Sequence, residues 1–214
     1  MYFEPVIFFQ AVLSLFAIDD PLGGLPVFLS LTQGATAGER QRVFRIAVAT
    51  SFVLIVGFAL VGLYAMERVF HITMSEFTFA GGLLLVVTGV HDILSTDSPE
   101  SALHDEVSAR DRDRVHRLRA LAVSPIACPL LAGPGTIVTV ILFQGQYGHL
   151  FALSVCVVVF GLTLLILTFA GFLSRMMGRV GTLAVARVMQ IFIIAIGVHF
   201  MFSGFKGAFP GLFN

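Results

Sequence analysis

Tryptophan is absent from this chain, charge is scarce and cysteine nearly so. Lys, Arg, Asp and Glu together make up 12% of the 214 residues, about half of the roughly 25% carried by ordinary soluble domains. So little charge excludes a water-facing surface of normal composition. The formal net charge is zero, so nothing points to a polyanionic partner and no nucleic acid is expected. Without Trp, the interfacial aromatic belt of a membrane protein must be replaced by Tyr, Phe or Arg anchors. The two cysteines, Cys128 and Cys156, both lie in apolar runs. A disulfide or a metal site would be unusual there, and they read as small core residues. Met1-Tyr2-Phe3-Glu4 lacks the basic region and small-residue cleavage site of a signal peptide, so the first helix is expected to stay.

What is present is hydrophobic residue, 57% of the chain and 22 of it Phe. This is the composition of an all-α polytopic membrane protein. A crossing helix needs about 20 apolar residues, and six stretches meet that length: about 3–32, 43–65, 77–94, 119–143, 150–173 and 184–205. Two of them are interrupted. Asp19-Asp20-Pro21-Leu22-Gly23-Gly24-Leu25-Pro26 breaks the first, and Pro125 to Gly135 breaks the fourth. Each break is flanked by apolar residues, so each reads as one crossing helix broken near the midplane. Such a break is tolerated only where protein or a cavity resatisfies the backbone.

Orientation follows from the 13 basic residues, because short loops rich in Lys and Arg remain cytoplasmic. Arg40, Arg42, Arg45, Arg110, Arg112, Arg114, Arg117, Arg119, Arg175, Arg179 and Arg187 fall on one side. Only Arg68 and Lys206 fall on the other. Re-entrant hairpins at the two breaks would make the split far less lopsided, so single crossings are preferred and both termini are placed outside. The charged stretch 95–118 becomes a solvated cytoplasmic linker between a first three-helix repeat, 1–94, and a second, 119–214. His104 and His116 in the linker carry no ligand spacing, and His91 with Asp92 suits a helix end.

The two halves echo each other. Pro21 and Pro134, Gly62 and Gly171, and Gly89-Val90-His91 and Gly197-Val198-His199 are separated by nearly the same number of residues. Three-helix halves in tandem run oppositely across the bilayer, so the pattern predicts an inverted repeat. In Asp20-Pro21 and Gly133-Pro134 a capping residue precedes a proline at the first helical position. Each break should then restart a half-helix whose amides and positive dipole end face the membrane interior. Two such ends meeting from opposite sides suit a carboxylate or other small anion, and unwound carbonyls suit an ammonium. The substrate-binding candidates are therefore Asp20, Pro21, Gly23, Gly24, Pro26, Gly133, Pro134, Gly135 and Thr136, with Thr139 a further hydroxyl. Asp19, Asp20 and His199 are the ion-coupling candidates, since ionisable groups at bilayer depth are costly to keep. A capping role for Asp20 is compatible with a direct one. Coupling at Asp20 implies that Asp20→Asn retains exchange and loses its dependence on the proton gradient.

The motifs Asp20-Pro21-Leu22-Gly23-Gly24-Leu25-Pro26, Ala80-Gly81-Gly82-Leu83-Leu84 and Pro125-Ile126-Ala127-Cys128-Pro129-Leu130-Leu131-Ala132-Gly133-Pro134-Gly135 resemble those of the MarC-type membrane protein family. The resemblance implies six helices in the bacterial inner membrane and transport of small solutes, among them neutral amino acids such as glycine and alanine. Asp20 stands where the family commonly has Asn, Gly24 where Asn is frequent, and Gln190 where Gly is usual. An acid in place of an amide is compatible with a more cationic substrate or with proton coupling.

The function expected is thus secondary transport of a small neutral solute, driven by a proton or sodium gradient. The expected partners are that solute, the coupling ion, the lipid bilayer and, compatibly, further copies of the chain. Neither a cofactor, a metal nor a catalytic residue is expected. The alternatives are a passive small-solute channel, or a structural or sensory membrane protein. An intramembrane aspartyl enzyme fits worst, because catalytic carboxylates normally converge from separate segments.

Overall fold

A computed structural model of the chain describes residues 4–32, 35–94 and 131–212. The expected linker 95–118, Cys128, and the stretch 119–130 that leads into the second break lie outside these residues.

Proline and capping residues set the helix starts. Helix α1, Pro5–Asp19, opens with Pro5 in its first turn and stops at Asp20, whose backbone is left-handed at φ 41 and ψ 56. Pro21 disfavours helical geometry in the residue before it, which accounts for the stop. After a turn over residues 20–24 the chain re-enters a helix as α2, Leu25–Leu31. Helix α3, Ala37–Tyr64, begins with a reciprocal cap between Thr36 and Glu39: the Thr36 N–H donates to Glu39 Oε2 at 2.8 Å and the Glu39 N–H to Thr36 Oγ1 at 3.3 Å. The same device, built from Thr73 and Glu76, starts α4, Met74–Leu94. Helix α5, Pro134–Tyr147, is preceded by an extended Gly133. Gly148, at φ 88, turns the chain directly into α6, His149–Thr168. Helix α7, Ala170–Ala208, is kinked at Gly178, where φ is 63. The residues between the fifth and sixth expected spans are therefore largely helical, in two helices that meet at Gly178, whose own backbone is not helical.

The described residues are all helical, with no strand. Four helical stretches are long and apolar enough to cross a bilayer: Ala37–Val69, Met74–Leu94, His149–Thr168 and Ala184–Ala208. Their outer faces remain apolar. Val53, Phe58, Val61, Leu165, Ile191 and Phe202 are all exposed, a surface that water would penalise and lipid chains accept. The interior is formed where α1, α3, α5 and α6 pack together, around Leu15, Leu25, Phe28, Phe44, Ile55, Val140, Val155 and Val159. Cys156 is fully buried among them, as expected of a small core residue.

Helices α4 and α7 pack on each other most closely, and glycine makes it possible. A Cβ at Gly82 would meet the Gly197 carbonyl and the Met201 amide, and one at Gly204 would meet the backbone of Ser75 and Phe79. Gly89 lies opposite Gln190 and Ile194. Residue numbers rise along α4 as they fall along α7, so the two helices are antiparallel. At the end of α4 the Arg187 guanidinium, from α7, donates to the Ile93 carbonyl.

The crossing yields a contrast in sign. Gly82→Ala forces two backbones apart and should destabilise the protein by about 1–3 kcal/mol. Gly161, exposed with open space around its Cα, should gain up to about 1 kcal/mol as Ala. Thermal unfolding in detergent measures both; equal shifts would mean that the α4–α7 contact is not tight.

Candidate functional site

The last turn of α1 delivers two adjacent carboxylates into different surroundings. Asp19 continues the buried stripe of Ala11, Val12 and Leu15, and is 3% exposed. It reaches across to α6, where Thr163 Oγ1 donates to its Oδ2 at 2.7 Å. Its other oxygen, Oδ1, is buried and has no hydrogen-bond partner among the described residues. An interior carboxylate in this state carries a desolvation cost that one hydroxyl offsets only in part.

Asp20, less buried, turns the other way. Its own N–H closes the end of α1 on the Phe16 carbonyl at 3.1 Å. Its side chain then caps the following turn, Oδ1 accepting from the Gly23 N–H at 2.9 Å, while its carbonyl accepts from Gly24 N–H at 3.1 Å. Asp20 with Pro21 behind it thus forms a cap-and-proline start for one short turn, and Leu25 and Phe28 carry the hydrogen bonding on into α2. One consequence differs from the sequence-based expectation. Pro21 does not open a half-helix as expected: residues 21–24 form a turn and the helix begins only at Leu25, and the Gly23 amide of that turn is taken by the protein's own carboxylate.

The glycines are explained by what surrounds them. A Cβ on Gly23 would fall on the Asp20 carboxylate, and one on Gly24 on the Phe28 ring. That ring is 1% exposed and meets Phe44 edge-on at 6.2 Å. Pro26 is the second residue of α2.

The second group lies at the start of α5. Gly133 is extended at φ −69 and ψ 160, Pro134 takes the first turn, and the Ile137 N–H closes the helix on the Gly133 carbonyl at 3.1 Å. Thr136 and Thr139 are buried, and Thr139 Oγ1 donates to the Gly135 carbonyl of its own helix at 2.8 Å. A Cβ on Gly135 would meet Leu85 of α4 and Ile18 of α1. The start of α5 therefore lies against the end of α1, one residue before Asp19. Residues near positions 20 and 134, far apart in sequence, come together here.

His199 does not join them. It is exposed on α7, and its ring sits beside that of Phe200 at 6.3 Å. Among the described residues no basic side chain lies within salt-bridge distance of Asp19 or Asp20, and no group of three His, Cys, Asp or Glu could hold a metal. Thr163 is the functional candidate that sequence reasoning passed over. Its signal was present, a hydroxyl in the apolar run Gly161-Leu162-Thr163-Leu164-Leu165, but the sequence alone gives it no partner.

Comparison with known proteins agrees with this architecture. The family model described as MarC family integral membrane protein matches residues 6–209. The UPF0056 membrane protein YhcE of Escherichia coli is 30% identical over 220 residues, covering 100% of this chain and 98% of its own length. The UPF0056 membrane protein YvbG of Bacillus subtilis is 29% identical over 204 residues, 94% of each chain. An archaeal relative, the UPF0056 membrane protein MJ1677 of Methanocaldococcus jannaschii, is 29% identical over 205 residues, 94% of this chain and 97% of its own. No solved structure matches the chain.

Thr163→Val removes the donor to Asp19 and keeps the shape of the side chain. It should lower stability by about 1–3 kcal/mol, while Thr163→Ser should restore most of it. Thermal unfolding in detergent of the two variants and the parent checks the pair, and equal losses in both would mean that the hydroxyl does not matter.

Proposed function

Since the chain belongs to the MarC family of integral membrane proteins, we propose that it is a secondary transporter moving a small neutral amino acid, of the size of glycine or alanine, across the bacterial cytoplasmic membrane. The observation that carries this reading is the contact of Gly135 with Ile18, which sets a helix start beside a carboxylate-bearing chain break. The amino acid's carboxylate would sit at the first-turn amides of α5, behind Gly133, Pro134 and Gly135, where the helix dipole favours an anion. Its ammonium would face the Asp20 carboxylate at the turn Pro21–Gly24. Gly23 and Gly24 let the Asp20 carboxylate and the Phe28 ring close on the turn, and the buried Thr136 borders the helix start of α5. A site built from backbone around two opposed breaks accepts a small zwitterion and leaves little volume for a large side chain.

The membrane arrangement we infer is six crossings in two inverted three-helix repeats, with both termini outside. The antiparallel packing of α4 on α7 supports it. Two helices related by an inverted repeat must run oppositely, and an even number of crossings must lie between them. Helix α6 supplies one, and the segment ending in α5 supplies the other if it crosses the bilayer singly. Movement of solute down or against a gradient, without chemical conversion, would then proceed by alternating exposure of the site between the breaks, coupled to a cation.

Counterflow of labelled alanine in proteoliposomes tests the transport reading. Saturable exchange accelerated by internal unlabelled alanine is expected; linear, unsaturable flux would instead mark a channel, and no flux of glycine or alanine would remove the proposal. Asp20→Asn retains an oxygen acceptor for the Gly23 N–H but loses the charge facing the ammonium. It should raise KM about tenfold, about 1.4 kcal/mol, and an unchanged KM would take Asp20 out of the site. Topology is checked separately. In a variant lacking the native cysteines, Gly38→Cys and Ser101→Cys should react with an impermeant thiol reagent only from the cytoplasmic side, and labelling of position 38 from outside would overturn the arrangement.

A further inference from the structure

We propose that Asp19, held by Thr163, carries the transported proton: in the conformation seen here its carboxyl group is protonated and occluded between α1 and α6. The proposal deepens the transport reading and rests on it for its role, though not for its chemistry. Asp19 is the more deeply buried of the two acids, at 3% exposed, and has a single donor among the described residues, Thr163 Oγ1 at 2.7 Å to Oδ2. Its Oδ1 is buried with no partner among the described residues. A charged carboxylate so placed loses its hydration and receives one hydrogen bond in return, whereas a neutral carboxyl group avoids most of that penalty. The proton would sit on Oδ1, the oxygen that Thr163 does not reach.

A sodium ion fits the same atoms poorly. It needs several oxygen ligands, and beyond the Asp19 carboxylate the contacts among the described residues bring only the Thr163 hydroxyl to this point, Thr139 being turned to its own helix. The ionisable groups facing Asp19 leave the inference standing. On its own segment the neighbour is Asp20, which adds negative charge. From α6 the facing group is Cys156, within electrostatic range. Helix α5 carries no ionisable side chain before Tyr147. From α4, Asp92 acts on Asp20 and is itself beside His91 at 3.4 Å. From α7, Arg187 is engaged with the Ile93 carbonyl, and no basic group is within ion-pair distance of Asp19 among the described residues. Asp20, whose carboxylate is fixed by the Gly23 N–H, is left to cap the turn and meet substrate. The two acids thus divide the work, proton on one and amino acid on the other, on consecutive residues at one chain break. Deprotonation would strengthen the Thr163 bond to Oδ2 and leave a buried, unpartnered charge on Oδ1, which links proton release to the α1–α6 interface.

Infrared difference spectroscopy of the full-length protein in liposomes, with pH steps as the perturbation, tests the proton directly. At neutral pH the parent should show a protonated-carboxyl band that Asp19→Asn abolishes, Asp20→Asn keeps and Thr163→Val shifts. Absence of the band in the parent, or its persistence in Asp19→Asn, would overturn the assignment. Should Asp19→Asn fail to insert, an unshifted band in Thr163→Val does the same. Proteoliposome transport supplies the second arm: Asp19→Asn should keep alanine counterflow while losing accumulation driven by a proton gradient, and Asp20→Asn should keep that dependence. Gradient-driven accumulation surviving in Asp19→Asn sinks the coupling role. A band assigned to Asp19 without counterflow in the parent would instead count against transport and leave the buried proton standing.

Discussion

Every backbone N–H and C=O that enters the hydrocarbon must find a partner within the protein, and the break after α1 is organised by that requirement. Stopping a helix there leaves amides and carbonyls without helical partners. The chain answers with its own groups: the Asp20 amide closes on Phe16, the Gly23 amide on the Asp20 carboxylate, the Gly24 amide on the Asp20 carbonyl, and Phe28 on Gly24. An aspartate at position 20 is thus as much a backbone element as a charged side chain. The cost of partly burying this acid is offset by the hydrogen bond it accepts from Gly23.

The second constraint is that apolar side chains gain little by leaving lipid for one another. Packing must therefore come from close approach. Glycines supply it at the α4–α7 crossing, where Gly82, Gly197 and Gly204 let backbone touch backbone, and again where Gly62 admits Ile141, Gly81 admits Val138 and Gly135 admits Leu85 and Ile18. The last of these lies at the proposed site. Gly135 is placed where a larger residue would push α5 away from α1, so its role in the site and its role in packing are the same contact. A defect after its substitution would not by itself mark it as a substrate ligand.

Much of this was legible in order of residues. The four long apolar helices fell close to the stretches expected, the stop before Pro21 was visible as two acids and a proline in an apolar run, and Cys156 read correctly as core. The caps of α3 and α4 follow from Thr36-Ala37-Gly38-Glu39 and Thr73-Met74-Ser75-Glu76, a spacing whose chemistry is local. The helical passage through 174–183 was not legible, because the two helices that meet there are separated only by the non-helical backbone of Gly178. Thr163 was passed over for a different reason. A hydroxyl on an apolar helix is satisfied by its own backbone by default, as Ser51 is by Ala47, and only its neighbour on another helix makes it otherwise.

The sequence by itself determined that this chain is helical and belongs in a membrane, where its first helix stops, and which residues cap the helices, because each of these depends on composition or on groups within a few residues of one another. Tertiary structure alone decided which of two adjacent aspartates is buried, that Asp19 meets Thr163 across a separation of 144 residues, and that Gly135 rests on Ile18. Adjacent residues on a helix point about 100° apart, so Asp19 and Asp20 are alike in sequence and unlike in space. What separates them is that α6 stands opposite Asp19 while Asp20 turns back to its own Gly23, and the first is fixed only once α1 and α6 have packed.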